Sequence, residues 1–587
     1  MSKHAVQPFV RKRSGTSVVA PWAGGFLSAN TLLVICLLMI VGYLIIPPLG
    51  MLILSSLTNT QPGVAPRFTL ETITEAYGRG IIYPSLVRSL IFSLITSTCV
   101  LIIGSFLAWL VERTDSAIRH MTDLFVLAPL LVPAVLMVSG WILLLGPKSG
   151  LINLIAKEYF GFKEPLLDVF TFGGMIWVFI LQEVPLAFLW LWPAFRSMDP
   201  SMEEAALMSG ASQTRVLWQI TLPLLRPTLL AAWIIFFILG LGALSVPLLI
   251  GLPSGIFFYS TEIYLAAKRI PTNYNLASAY SLLFMVVAIF GIYAYRKAIV
   301  GTSRFVTVTG KAYRPRLIRL GRLQPVVTSF GIALLLLVAG LPMIVLVWNA
   351  FMKFPQAPSL KSLDFFTLEN FRVAINYAPA RRSIVNSFML GLGAGITTTI
   401  IGGAIAWCNL RMTSLKRLRA ILDQLATTPV GISNMIIGVS LVWWYLMLPI
   451  PIYGTHWILL IAYVTVNLPY AVRICTSGLN QLHSELEEAA FVSGAGWFST
   501  FHRIVLRLAA PTLLSSLVYV MLRAFREYTA SIFLTAPGTE VFGVFVLDMW
   551  EGGNTSILSA YVTIVMAIIT VFIGVLFRVG RHFGIKF

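Results

Sequence analysis

Apolar residues along this chain gather in long unbroken runs. They do not alternate at the period of a strand or trace the narrow stripe of a surface helix. Six runs fall near 30–57, 84–110, 122–145, 169–194, 227–250 and 275–299, and six more near 325–351, 382–408, 420–448, 454–478, 511–535 and 556–580. A hydrocarbon core about 30 Å thick is crossed by about 20 mostly apolar helical residues. Each run therefore predicts a membrane-spanning helix, and the fold class expected is an all-α membrane protein with about 12 such helices. Arg11-Lys12-Arg13 ahead of the first run gives it the look of a signal peptide. The run is too long for a cleaved segment and no Ala-x-Ala site follows, so it reads as the first helix.

Composition agrees. Of 587 residues, 58% are hydrophobic and 11% charged, and mean hydropathy is +0.86. Soluble domains hold about 25% charged residues, so lipid is the expected solvent for most of the chain. The 42 Lys+Arg against 23 Asp+Glu give a net charge of +19. Their positions argue against nucleic-acid binding, because they sit in alternate loops: Arg113 and Arg119; Arg196, Arg215 and Arg226; Lys311 to Arg322; Arg411 to Arg419; Arg503 and Arg507; Arg578 to Lys586. Cytoplasmic loops of membrane proteins carry that excess, which puts both termini in the cytoplasm of an inner-membrane, multi-pass protein. The loop 536–555 on the opposite side has no Lys or Arg but carries Glu540, Asp548 and Glu551, whereas 352–382 weakens the asymmetry with five basic residues. The expected organisation is a tail 1–29, a six-helix unit 30–299, a basic linker 300–324, a second six-helix unit 325–580 and a tail 581–587. An even helix count gives the two units the same orientation, as parallel repeats.

The repeat is visible as sequence. Residues 203–211 read EEAALMSGA and 487–495 read EEAAFVSGA, seven identities in nine at an offset of 284. The same offset pairs Pro185 with Pro469 and Pro227-Thr228-Leu229-Leu230 with Pro511-Thr512-Leu513-Leu514. Both copies lie in the cytoplasmic loop after the fourth helix of their unit. Each predicts a short helix. Ser201 with Glu204, and Ser484 with Glu487, have the spacing of a capping box. Glu203-Glu204 and Glu487-Glu488 suit the positive end of the helix dipole. Ala205-Ala206 and Ala489-Ala490 leave room for another protein, and Gly210 and Gly494 are natural helix stops. One copy alone would fit an ordinary interfacial helix equally well; two matched copies in matched loops favour a shared function.

Those copies resemble the cytoplasmic "EAA" loop of binding-protein-dependent ABC importer permeases of the MetI-like type. The first copy continues through Ile220, Leu222 and Pro223; the second has Ile504 and Leu506, with Arg507 where Pro is expected. The fused arrangement, with Arg526-Glu527-Tyr528 and Thr539-Glu540-Val541, resembles the ferric-iron and thiamine branch. The resemblance implies a permease with ferric iron as first choice of cargo, and thiamine, polyamine, phosphonate or a phosphorylated small molecule as alternatives. It also implies that each loop is a coupling helix for one of two copies of a cytoplasmic ABC ATPase, and that a periplasmic or surface-tethered binding protein delivers the cargo. No cofactor is then bound by this chain; ATP and Mg are used by the ATPase.

The sequence supports a separate ATPase, since Gly310-Lys311 is followed by Ala312 and no P-loop occurs. A secondary transporter also has twelve helices in two halves, but it has no use for matched coupling loops. Charged groups at membrane depth default to functional candidates. These are Glu183, with Asn467 as its repeat partner, and Arg523, Arg526 and Glu527 in the eleventh run, where Glu527 is matched by Ala243. A polar contact between helices with no role in the pathway is the favoured alternative for them. Pro129, Pro133 and Pro429 predict kinks in the third and ninth helices. Cys36, Cys99, Cys408 and Cys475 show no metal or redox spacing, and no His or Cys cluster suggests a metal site.

Overall fold

The computed structural model describes residues 29–59, 67–78, 80, 82–121, 133–198, 201–268, 272–300, 317–356, 358–359, 361–412, 415–482 and 485–582. Ser484, Pro129 and the basic residues of the N-terminal tail lie outside them. Among the described residues ten helices are long and apolar enough to cross a membrane, eleven if one bent pair is counted as a single span.

The first half runs α1 (Ala29–Ser56), α2 (Ile82–Arg113), α3 (Ala134–Leu145), α4 (Phe172–Ser197), the short α5 (Ser201–Met208), α6 (Leu222–Leu241) and α7 (Tyr274–Val300). The second half begins with the continuous span α8 (Gly321–Ala350). It continues through α9 (Ala378–Arg411), α10 (Lys416–Thr427), α11 (Asn434–Met447), α12 (His456–Leu479), the short α13 (Glu485–Val492), α14 (Leu506–Phe525) and α15 (Thr555–His582). At the offset of 284, α5 and α13 have identical bounds, as do α6 and α14.

One long helix is the hub of each half. α2 packs on α4 and α6, and α9 packs on α12 and α14. Small residues make the approach close: a Cβ on Gly104 would lie 2.6 Å from that of Ala187, and one on Gly402 2.9 Å from that of Ala471. Without a hydrophobic drive between helices in lipid, such contacts carry the packing. The halves interlock, because α1 packs on α11 of the second half while α8 packs on α3 of the first.

Three expectations need correction. The runs 227–250 and 511–535 are not single spans. Their helices end at Leu241 and Phe525, and the apolar residues beyond form Pro247–Gly251 and Ser531–Leu534, buried against protein. Hydropathy cannot separate lipid from a protein interior. The ninth run breaks at Pro429, where Lys416–Gly431 and Asn434–Met447 meet at 110°. Proline removes a helical hydrogen bond, and the amphipathic α10 lies across the direction of α11. Finally, only Arg523 sits within α14; Arg526 is its C-terminal flanking residue and Glu527 follows it.

Candidate functional site: two matched loop helices and a polar cluster

Each short loop helix closes the same way. Gly210 and Gly494 adopt φ of +86° and +84°, a left-handed conformation that costs an ordinary L-residue energy and glycine almost none. Ala211 N–H then donates to Ala206 C=O, and Ala495 N–H to Ala490 C=O, both at 3.0 Å. This six-to-one bond is the Schellman closure. Ala205 and Ala489 are exposed, Ala206 and Ala490 half-buried. At the tips, Met208 is 90% exposed and Val492 89%. Two apolar side chains at equivalent positions stand free of the bundle.

The loop's far end repeats as well. Five-residue π turns, Leu217–Thr221 and Phe501–Val505, lead directly into α6 and α14. Pro223 follows the first and exposed Arg507 the second, so the turn forms with or without proline. Its shape is set by the packing of Thr221 and Val505, both buried.

The two glutamates of each loop differ. Glu203 and Glu487 turn toward the bundle. Glu203 Oε2 lies 3.4 Å from Arg113 Nε, with the arginine 3% exposed, and Glu203 Oε1 accepts from Thr221 Oγ1 at 2.6 Å. Glu487 Oε1 accepts from Arg411 Nε at 2.8 Å. Glu488 is exposed and Glu204 partly so. Sequence reasoning named the glutamates but missed Arg113 and Arg411. The available signal was an arginine ending the second helix of each half.

The membrane candidates fall on α4, α12 and the C-terminal end of α14. Glu183 lies in the middle of α4 and Asn467 in the middle of α12. Arg523 Nε donates to Asn467 Oδ1 at 3.1 Å, and its guanidinium carbon lies 4.0 Å from the Tyr470 ring centroid, a cation–π contact. From the other half, the Glu183 carboxylate is within the field of Arg526 and Arg523 and accepts from Gln182 Nε2 at 3.0 Å. Asn467 thus bonds Arg523 directly, while its repeat partner Glu183 meets the arginines only through their charge. Glu527 plays a different part. Its Oε1 accepts from Ala530 N–H at 2.8 Å and its Oε2 from Asn434 Nδ2 at 2.6 Å. Both oxygens are used to hold the turn after α14 against α11. Glu183, Arg523 and Arg526 each keep partial surface access.

Comparison with known proteins decides the family. The profile described as "Binding-protein-dependent transport system inner membrane component" matches residues 100–299 and 395–583, one segment in each half. The chain belongs to this family. As an inner membrane component of a binding-protein-dependent transport system, it is a multi-pass permease and not itself the ATPase of that system. It is similar to the ferric transport system permease protein FbpB of Actinobacillus pleuropneumoniae, 26% identical over 514 residues, which is 86% of this chain and 73% of the relative. The Fe(3+)-transport system permease protein FbpB 2 of Haemophilus influenzae is 23% identical over 479 residues, 80% of this chain and 84% of the relative. The spermidine/putrescine transport system permease protein PotC of the same organism matches over 230 residues at 26% identity, 39% of this chain and 86% of the relative.

Proposed function

We propose that this permease imports ferric iron, driven by two copies of a cytoplasmic ABC ATPase, each receiving one of the helices α5 and α13. The observation that carries the reading is the twin loop: two glycine-closed helices in the same register, each presenting an exposed apolar tip. The repeats 30–299 and 325–580, joined by the linker 300–324, share one orientation, with both termini in the cytoplasm. ATP and Mg stay with the ATPase; this chain holds no cofactor. A periplasmic or surface-tethered binding protein delivers the cargo to the outer loops.

Closure of the ATPase pair moves α5 and α13 toward one another. The hubs α2 and α9 follow, the halves rock about their interlocked helices, and a pathway past Glu183, Arg523 and Arg526 changes the side it faces. Asn467 and Tyr470 hold Arg523 in place during the movement, and Glu527 holds the turn beside it. Iron as cargo rests on the named function of relatives spanning most of the chain. The polyamine relative supports the same machinery for a different cargo.

The test is Glu204→Lys with Glu488→Lys in the full complex. Binding-protein-dependent, ATP-driven uptake of ferric iron is lost while the permease level in the membrane is kept. Undiminished uptake in the double variant refutes the coupling role, and ATP-driven uptake of another cargo with iron excluded corrects the cargo alone.

A further inference from the structure

We propose that Arg113 and Arg411 are the joints by which each coupling helix moves its half of the bundle, with the first glutamate of each pair facing the bundle and the second facing the ATPase. The inference rests on the coupling role proposed for α5 and α13.

Both arginines reach the same pair of partners, but Arg411 hydrogen-bonds its glutamate whereas Arg113 Nε meets Glu203 as an ion pair and makes no hydrogen bond. Arg113 ends α2; its Nε lies 3.4 Å from Glu203 Oε2, and its Nη2 donates to Met198 C=O at 3.4 Å. Arg411 ends α9; its Nε donates to Glu487 Oε1 at 2.8 Å and its Nη2 to Leu482 C=O at 2.6 Å. Met198 and Leu482 are equivalent at the offset of 284. In each half one guanidinium therefore holds a carboxylate on the coupling helix and the backbone just ahead of it. Two donors in a fixed plane suit this, and a lysine could not reproduce it. The pairs are mostly withdrawn from water: side-chain exposure is 3% and 13% in the first half, 18% and 17% in the second. Partly buried pairs are screened by salt far less than surface ones.

Position turns the grip into a lever. α2 packs on α4 and α6, and α9 on α12 and α14. At the first joint the chain entering the second half is pinned too. Ile318 N–H donates to Arg113 C=O at 2.9 Å, Asp115 N–H to Ile318 C=O at 3.1 Å, and Leu320 N–H to Asp115 Oδ1 at 2.9 Å. A displacement of α5 thus reaches α2 and the start of α8 together. Remove the guanidinium, and the coupling helix loses this side-chain tie to its hub.

The test uses the permease–ATPase complex in nanodiscs, with spin labels on the outer face at Lys268→Cys and Glu551→Cys, one in each half, in a background lacking the native cysteines. ATP changes the label distance in the parent complex. In Arg113→Ala/Arg411→Ala the ATPase subunits still co-purify and hydrolyse ATP within about twofold of the parent rate, but the distance change is lost; coupling across such contacts falls about tenfold. Exchanging one pair as Arg411→Glu/Glu487→Arg recovers more movement than either single change. An unchanged response in the double alanine variant overturns the joint, as does loss of ATPase binding or an exchanged pair no better than its singles. A parent complex whose labels never respond to ATP overturns the coupling reading as well.

Discussion

Substituting the two loop glycines isolates backbone conformation as a cause. At Gly210 and Gly494 nothing lies within 4 Å of an added Cβ, so alanine meets no clash. The left-handed φ of +86° and +84° remains, and an ordinary L-residue there costs about 1–2 kcal/mol. The loop can escape by unwinding its last turn, but it then gives up the 3.0 Å closing bond from Ala211 or Ala495, a net loss of about 1 kcal/mol. Either route disfavours the docked shape by about 1–2 kcal/mol, which corresponds to roughly 5–30-fold weaker binding at each loop. Asparagine tolerates the left-handed region, so Gly→Asn should lose only about twofold. The assay is a titration of the purified ATPase into the permease in nanodiscs, one loop substituted at a time. Alanine variants that bind like the parent refute the reasoning, and so do asparagine variants that lose as much as alanine.

Glu527→Gln removes an acceptor from a turn in which both carboxylate oxygens are bonded. One donor is left facing an amide, costing about 1–3 kcal/mol, so permease level and thermal stability fall together. Equal stability with reduced transport would assign Glu527 to the pathway instead. Glu183→Gln keeps its bond to Gln182 and loses only charge toward Arg526 and Arg523, so transport changes while membrane level does not; parallel loss of both contradicts this. Burial opposes ionisation of Glu540, but bonds from Gly538 N–H and Arg382 outweigh it and hold the carboxyl below its ordinary 4.5. A lowered value means the ionised form stabilises the fold. That contribution is complete above 4.5 and disappears as pH falls through the lowered value. Thermal melts of parent and Glu540→Gln should converge in acid, and a gap that widens there refutes the assignment.

The twin loop helices were legible because sequence and structure share one register. The offset that aligns the two Glu-Glu-Ala-Ala runs also aligns α5 with α13, α6 with α14, and the π turns between them. Arg113 and Arg411 were not, since they stand 298 residues apart. The register shifts because the first half carries an extra outer helix, Leu151–Phe160, between α3 and α4, where the second half has only a short turn between α11 and α12. The offset of 284 pairs Arg113 with Thr397, which hid the matching role. Glu527 was recognised as unusual at membrane depth, but its partners Asn434 and Ala530 come from a tertiary contact and a local turn that hydropathy does not encode. The bend at Pro429 was signalled by proline; its size of 110° was not. The overlong runs 227–250 and 511–535 show the same limit, because an apolar residue reads alike whether lipid or protein covers it.

The most direct measurement places a photo-crosslinking residue at Met208 and, separately, at Val492 in cells making the whole transporter. Both positions should yield an adduct with the nucleotide-hydrolysing subunit, while Met389, 68% exposed on the spanning helix α9, should yield none. Adducts at neither tip, or an equal yield from Met389, would contradict the account.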